Sequence, residues 1–205
     1  MQSKGERGFS LIELLIVITI MAIIFGASVP FYRRYVAQTE LTNVAQDLYL
    51  KLVTAHNNAV NGVVPKDAPT TSQRYYWVVN MHDAGTSWEY DTGACALVTD
   101  PAAPGYAEQF GFNFCNPYDY EHFVFPARFI VSHDYSLSYS EANVYFEPIT
   151  GMVRIYSIDG LDRLDDPTDL TKNAINIRVA SKDYPQLAVT FHVNHQGTIT
   201  QESEN

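Results

Sequence analysis

From Phe9 to Val29 the chain is apolar, interrupted only by small or hydroxyl residues and by one acid, Glu13. A helix of this length, at about 1.5 Å per residue, reaches about 30 Å and matches the hydrocarbon core of a bilayer. Lys4 and Arg7 precede the run, which places the N-terminal side in the cytoplasm and the rest of the chain outside. A cleaved secretory signal is one alternative, with "GAS" at Gly26–Ser28 as its cut site. Signals of that kind, however, have apolar regions of only about 7–15 residues. A plain signal anchor is the second alternative, and it leaves Glu13 unexplained.

A carboxylate in a bilayer costs on the order of 3 kcal/mol. It persists where a cation pairs with it, and a free α-amino group is protonated near neutral pH. A cut between Gly8 and Phe9 would create such an amine one turn from Glu13, in the same chain or in a neighbouring copy. "GFSLIE" resembles the processing site of type IV prepilins and pseudopilins: Gly before the cut, Phe after it, and Glu as fifth residue of the mature chain. The leader "MQSKGERG" is short and mostly polar, as in that family. Pro30 stands where the family often carries a helix-kinking proline, and Tyr32 and Tyr35 fit its aromatic positions. The resemblance covers about 30 residues, with cut-site Gly, Phe, acid and proline all in register. It implies cutting by a prepilin peptidase between Gly8 and Phe9 and N-methylation of Phe9. It also gives Glu13 a part in methylation and in docking on a neighbouring subunit's amine.

Beyond Pro30, Leu41, Val44, Leu48, Leu52, Ala55 and Ala59 form one stripe at steps of three and four, the pattern of an amphipathic helix. Asn61-Gly62 followed by Pro65 predicts its end. One helix is therefore expected from about Phe9 to Val60. From Arg74 the pattern changes to short β-like runs: "RYYWVVNM" (74–81), "HFVFPARFIVS" (122–132), "NVYFE" (143–147), "MVRIYSI" (152–158), "AINIRVA" (174–180), "LAVTFHV" (187–193) and "TITQ" (198–201). "EPITG" predicts a hairpin turn between Val144 and Ile155, and "NHQG" a second. Residues 82–121, rich in Gly, Pro, Asp and Asn, read as irregular. The expected fold is α+β, a long N-terminal helix packed on a mainly antiparallel sheet or sandwich. The chain divides into a leader (1–8), a transmembrane or filament-core helix (9–29), an amphipathic continuation (30–61) and an extracytoplasmic β-rich head (62–205). "VYFEPITGMVRIY" and the closing "LAVTFHVNHQGTIT" resemble the GspH/FimT class of pseudopilins and minor pilins, with one extra residue between Pro148 and Gly151.

Residues 62–205 hold 8 basic and 19 acidic side chains, a net charge of −11. Such a surface repels phosphate backbones, so nucleic acid is not an expected partner. Cys95 and Cys115 are the two cysteines; an even count in an exported head suggests one disulfide, the alternative being two buried thiols. "SIDGLDRLDDPTDL" (157–170) offers Asp159, Asp162, Asp165, Asp166 and Asp169 as hard oxygen ligands for calcium. Related major pseudopilins use a calcium site in a late loop, but Arg163 lies within this stretch, and a solvated acidic loop is the competing reading. No other cofactor is expected. His192 and His195 straddle a strand end and a turn, which does not bring them together. The runs "RYYW" and "YDYEHFVF" read as core or as an adhesive face.

No P-loop, nucleophile elbow or zinc spacing occurs in the sequence, so an enzyme is not expected. The resemblance implies a structural subunit of a filament, seated in the bacterial inner membrane with its head in the periplasm or outside. Its partners would be other pilin-like subunits, a prepilin peptidase, a platform protein and an ATPase. A minor pseudopilin of a type II secretion system is the leading expectation. A minor or major pilin of a type IV pilus, serving adhesion, motility or DNA uptake, is the alternative.

Overall fold

The computed structural model describes residues 10–66, 68, 75–96, 118–133, 141–156 and 174–204. One helix, α1 (Leu11–Val60), precedes nine strands among these residues. The chain forms two compact units, residues 1–39 and 40–205.

In the first unit the side chains from Leu11 to Tyr35 are exposed, and their best window has a mean hydropathy of 2.6. Two of its hydroxyl groups, those of Thr19 and Ser28, are turned back on the helix. Thr19 Oγ1 donates to the Leu15 carbonyl at 2.8 Å and Ser28 Oγ to Ile24 at 2.7 Å. Both hydroxyls are thereby satisfied within an apolar surface. The helix continues through Pro30.

In the second unit α1 buries Leu41, Ala45, Leu48, Leu52, Ala55 and Ala59. Val44 is only half-buried and Ala45 takes the core position expected of it. The helix ends in a Schellman motif. Gly62 adopts φ 60°, its N–H donates to Ala59 at 3.0 Å, and the Val63 N–H donates to Asn58 at 2.8 Å.

Strands β1 (Tyr75–Asp83), β2 (Trp88–Ala96), β3 (Tyr118–Val124), β5 (Glu141–Phe146) and β6 (Val153–Tyr156) form one antiparallel sheet in the order β3-β2-β1-β5-β6. Strands β4 (Phe129–His133), β7 (Ala174–Ser181), β8 (Ala188–Asn194) and β9 (Ile199–Glu204) form a second, in the order β4-β7-β8-β9. The helix touches both. Tyr49 stacks on Phe191 of β8 with centroids 6.5 Å apart. His56 meets Phe146 of β5 edge-on at 5.7 Å. The fold is α+β, as expected.

Two details differ from the sequence reading. The stretch 82–121 is not wholly irregular, because β2 lies in it. Its Asp91, Gly93 and Ala residues are poor strand formers, but all nine β2 positions pair with β1, from Tyr75↔Ala96 to Asp83↔Trp88. "HFVFPARFIVS" is two strands, not one. Pro126 lacks an N–H, its carbonyl accepts from Phe129 N at 2.9 Å, and the chain turns there from the first sheet to the second. Both expected hairpins form: Val144 pairs with Ile155, and β8 pairs with β9 around the Asn194–Gly197 turn.

Candidate functional site

The expected cut site, Gly8 and Phe9, lies outside the described residues, and Glu13 lies in the first turn of α1. The Ser10 backbone N–H donates to Glu13 Oε2 at 3.3 Å, and the Ser10 hydroxyl approaches the same oxygen at 3.4 Å. In return, the Glu13 N–H donates to Ser10 Oγ at 3.3 Å. This is a capping box: the hydroxyl satisfies one orphan donor of the helix start and the carboxylate satisfies another. Ser-x-x-Glu ahead of an apolar run is its sequence signature, so the signal was present at residues 10–13. The box has a consequence for chemistry. It holds the carboxylate on the backbone nitrogen immediately after Phe9, at the positive end of the helix dipole.

The other expected site residues are spread across the fold. Pro30 lies inside the continuous helix. Cys95 is buried in β2 beside Val78 and Tyr145, and Cys115 lies outside the described residues. So do Asp159, Asp162, Asp165, Asp166 and Asp169. Among the described residues no group of three or more His, Cys, Asp or Glu side chains is set to hold a metal ion. His192 pairs with Asn176 and approaches Glu202 at 3.5 Å, whereas the His195 carbonyl accepts from Val153 N. The two histidines are not joined. Tyr75 and Trp77 are core residues, while Tyr120 is half exposed.

Sequence reasoning missed one titratable constellation, on the face of the first sheet turned away from α1. His82 of β1 stands opposite Glu89 of β2, and Asp91 of β2 stands opposite His122 of β3. His82 Nε2 lies 3.2 Å from Glu89 Oε2, and its Nδ1 lies 2.9 Å from Asn80 Oδ1. His122 Nδ1 lies 2.7 Å from Asp91 Oδ1, which also accepts from the Tyr120 hydroxyl at 2.9 Å. Asn80 donates to Asn143 of β5 at 2.7 Å. The hydrogen bond to Asp91 holds the His122 imidazole above its usual pKa; burial opposes it, and the charges of Asp91 and Glu89 add lesser support. Burial and the bond to Asp91 push the Tyr120 phenol up to about 12. The partners are 7 and 31 residues apart in sequence, so only the strand register reveals the group.

Residues 3–29 match the family model of the prokaryotic N-terminal methylation motif. Two curated relatives, each a "Fimbrial protein" of Pseudomonas aeruginosa, are 35% identical over 71 residues, 31% of this chain and 46% of the relative. The chain spans about half the length of the curated relatives it matches. No solved structure matches it.

Proposed function

We propose that this chain, which carries the prokaryotic N-terminal methylation motif on a long helix followed by a β-sheet head, is a structural subunit of a type IV filament-like assembly. The observation that carries the reading is the register of that motif on the helix. The matched segment includes the apolar, all-round exposed stretch from Leu11, and the one acid of that stretch, Glu13, sits in the first turn. An apolar surface of this length needs lipid or other helices around it.

In this reading a prepilin peptidase cuts between Gly8 and Phe9 and methylates the new amine. The membrane then serves as a reservoir of subunits. On assembly the helix exchanges lipid for neighbouring helices, and Glu13 pairs with the Phe9 amine of an adjacent copy, which sets the axial register. A platform protein and an ATPase drive the exchange. The head, residues 62–205, stays outside the cytoplasm. The subunit is not an enzyme.

A minor pseudopilin of a type II secretion system is the specific role we favour, on the likeness of the two hairpins to the GspH/FimT class. A pilus subunit is the second reading, favoured by relatives that are themselves fimbrial proteins. Quantitative mass spectrometry of sheared surface filaments against the cell envelope separates the two, and the same run reads the N-terminal peptide. Methylated Phe9 confined to the envelope supports the secretion role, and methylated Phe9 in filaments supports the pilus. An intact Met1, or a cut near Ser28, would overturn both.

A further inference from the structure

Among the described residues β3 is an edge strand, and edge strands have only one backbone ladder to hold them. This one carries an irregularity. Tyr118 pairs with Ala94 and Glu121 with Thr92, so two residues of β3 oppose the single residue Gly93. Asp119 takes up the bulge at φ 49°, a conformation that Asp tolerates better than most side chains.

The bulge changes which face each side chain serves. Tyr118 packs edge-on against Tyr75 at 5.7 Å on the helix side. Tyr120 and His122 then both reach Asp91 on the opposite side. An unbroken strand would place Tyr118 and Tyr120 on the same face. The irregularity thus weakens the ladder and at the same time delivers a phenol and an imidazole to one carboxylate.

We propose that the bulged edge strand β3 is held to its sheet by a proton-gated clasp, in which a protonated His122 bridges Asp91 and Glu89 of β2. Its Nδ1 is 2.7 Å from Asp91 Oδ1 and its Nε2 is 3.7 Å from Glu89 Oε2. His82 enters the same two carboxylates from β1, at 3.2 Å from Glu89 and 3.6 Å from Asp91. On β3 itself the Tyr120 hydroxyl faces the group, and on β5 Glu141 stands opposite His82 in register. Two carboxylates side by side repel one another, and a cation between them relieves that repulsion.

The direction follows from the geometry. An imidazole whose charged form is favoured in the folded chain stabilises it fully below the unfolded pKa of about 6.5. That contribution fades as the pH rises through the higher folded value. Strand β3 is therefore clasped in mildly acidic surroundings and loosened in alkaline ones. The second sheet has no share in this group, and its stretch Arg178–Ser181 carries no histidine. His122 is 41% exposed, so the effect is that of a partly screened pair, about 2- to 5-fold in an opening equilibrium.

The test is amide hydrogen exchange of the full chain in detergent micelles between pH 5.5 and 8.5, corrected for intrinsic exchange rates. Protection over Tyr120–Val124 is expected to fall about 2- to 5-fold across that range, while protection over Arg178–Ser181 of β7, which carries no histidine, stays level. In His122→Gln the donor to Asp91 is kept and the titration is lost, so the fall disappears. In the unmutated chain the His122 ring should titrate above its ordinary value. A fall of the same size in His122→Gln, a level β3 in the unmutated chain, or a ring that titrates at or below the ordinary value would each overturn the clasp.

Discussion

Gly197, in the turn of the β8–β9 hairpin, lies against Gly151, in the turn of the β5–β6 hairpin. A methyl group built on Gly197 would come within 2.5 Å of the Gly151 carbonyl oxygen and 2.5 Å of His56 Nε2. The two turns therefore meet on one histidine of α1, and one hairpin comes from each sheet. Backbone bonds lock the junction: Ile149 N–H donates to Ala59 at 2.9 Å, and Val153 N–H donates to His195 at 2.9 Å. Gly197→Ala should lose stability twice over. Its φ of 84° costs an L-residue about 1–2 kcal/mol, and the overpacked contact adds about 1–3 kcal/mol. Gly85 shares the φ of 84° but has nothing within 4 Å of a built Cβ. Gly85→Ala should therefore show the first loss alone. Urea unfolding of both variants measures the difference, and equal losses would show that the turns do not pack as described.

Glu13 has two roles available, as helix cap and as charge, and one pair of substitutions separates them. Glu13→Gln keeps an acceptor for the Ser10 N–H, because Gln also serves in capping boxes, but removes the charge. Glu13→Ala removes both. If the carboxylate pairs with an amine on a neighbouring helix, Gln and Ala should both abolish incorporation into filaments. If it only caps, Gln should assemble normally and Ala should impair the first turn, by about 1 kcal/mol. Cell fractionation with filament shearing reads the first outcome, and helix-start amide exchange in micelles reads the second.

How much of this is legible in the sequence depends on how local the signal is. The buried face of α1 follows from apolar residues three and four apart, and its end from Asn61-Gly62, because both are short-range patterns. The turns at "EPITG" and "NHQG" were equally visible. Strand β2 was not, because "WEYDTGACA" draws its strand character from pairing with β1, not from its composition. The capping box is visible as Ser10-x-x-Glu13, although an acid in an apolar run also has a membrane explanation. The group around Asp91 could not be read, since His82 and His122 come from strands on either side of β2. A bulge at Asp119 then decides which way Tyr120 points. Only register carries that information.

Cys95 and Cys115, the two cysteines of the chain, give a further prediction. Cys95 is buried, which suits a structural role. We propose that the two are bonded, closing a loop of about 20 residues worth roughly 3 kcal/mol in the chain-entropy model. Thiol titration of the denatured, unreduced chain should find no free sulfhydryl, and reduction should lower the urea midpoint accordingly. Two titratable thiols before reduction would sink the pairing.

The alkaline limit of the head should be set by two phenols. The Tyr90 hydroxyl donates to Asp47 of α1, and Tyr120 donates to Asp91. Burial raises both pKa values, and each bond to a carboxylate raises them further, well above 10 for Tyr90 and to about 12 for Tyr120. A group whose folded pKa exceeds its unfolded value stabilises the fold fully below the unfolded one, here 10, and loses that contribution as the pH rises beyond it. Stability should thus be level on this account up to pH 10 and decline above it. Tyr90→Phe should cost about 1.5 kcal/mol at neutral pH, where it removes a hydrogen bond to a charged group. It should also make the alkaline decline shallower, because one of the two phenols responsible no longer titrates while Tyr120 still does. Urea midpoints between pH 7 and 11, with phenolate absorbance followed in parallel, check both halves. A decline as steep in Tyr90→Phe as in the unmutated chain would assign the alkaline limit to other groups.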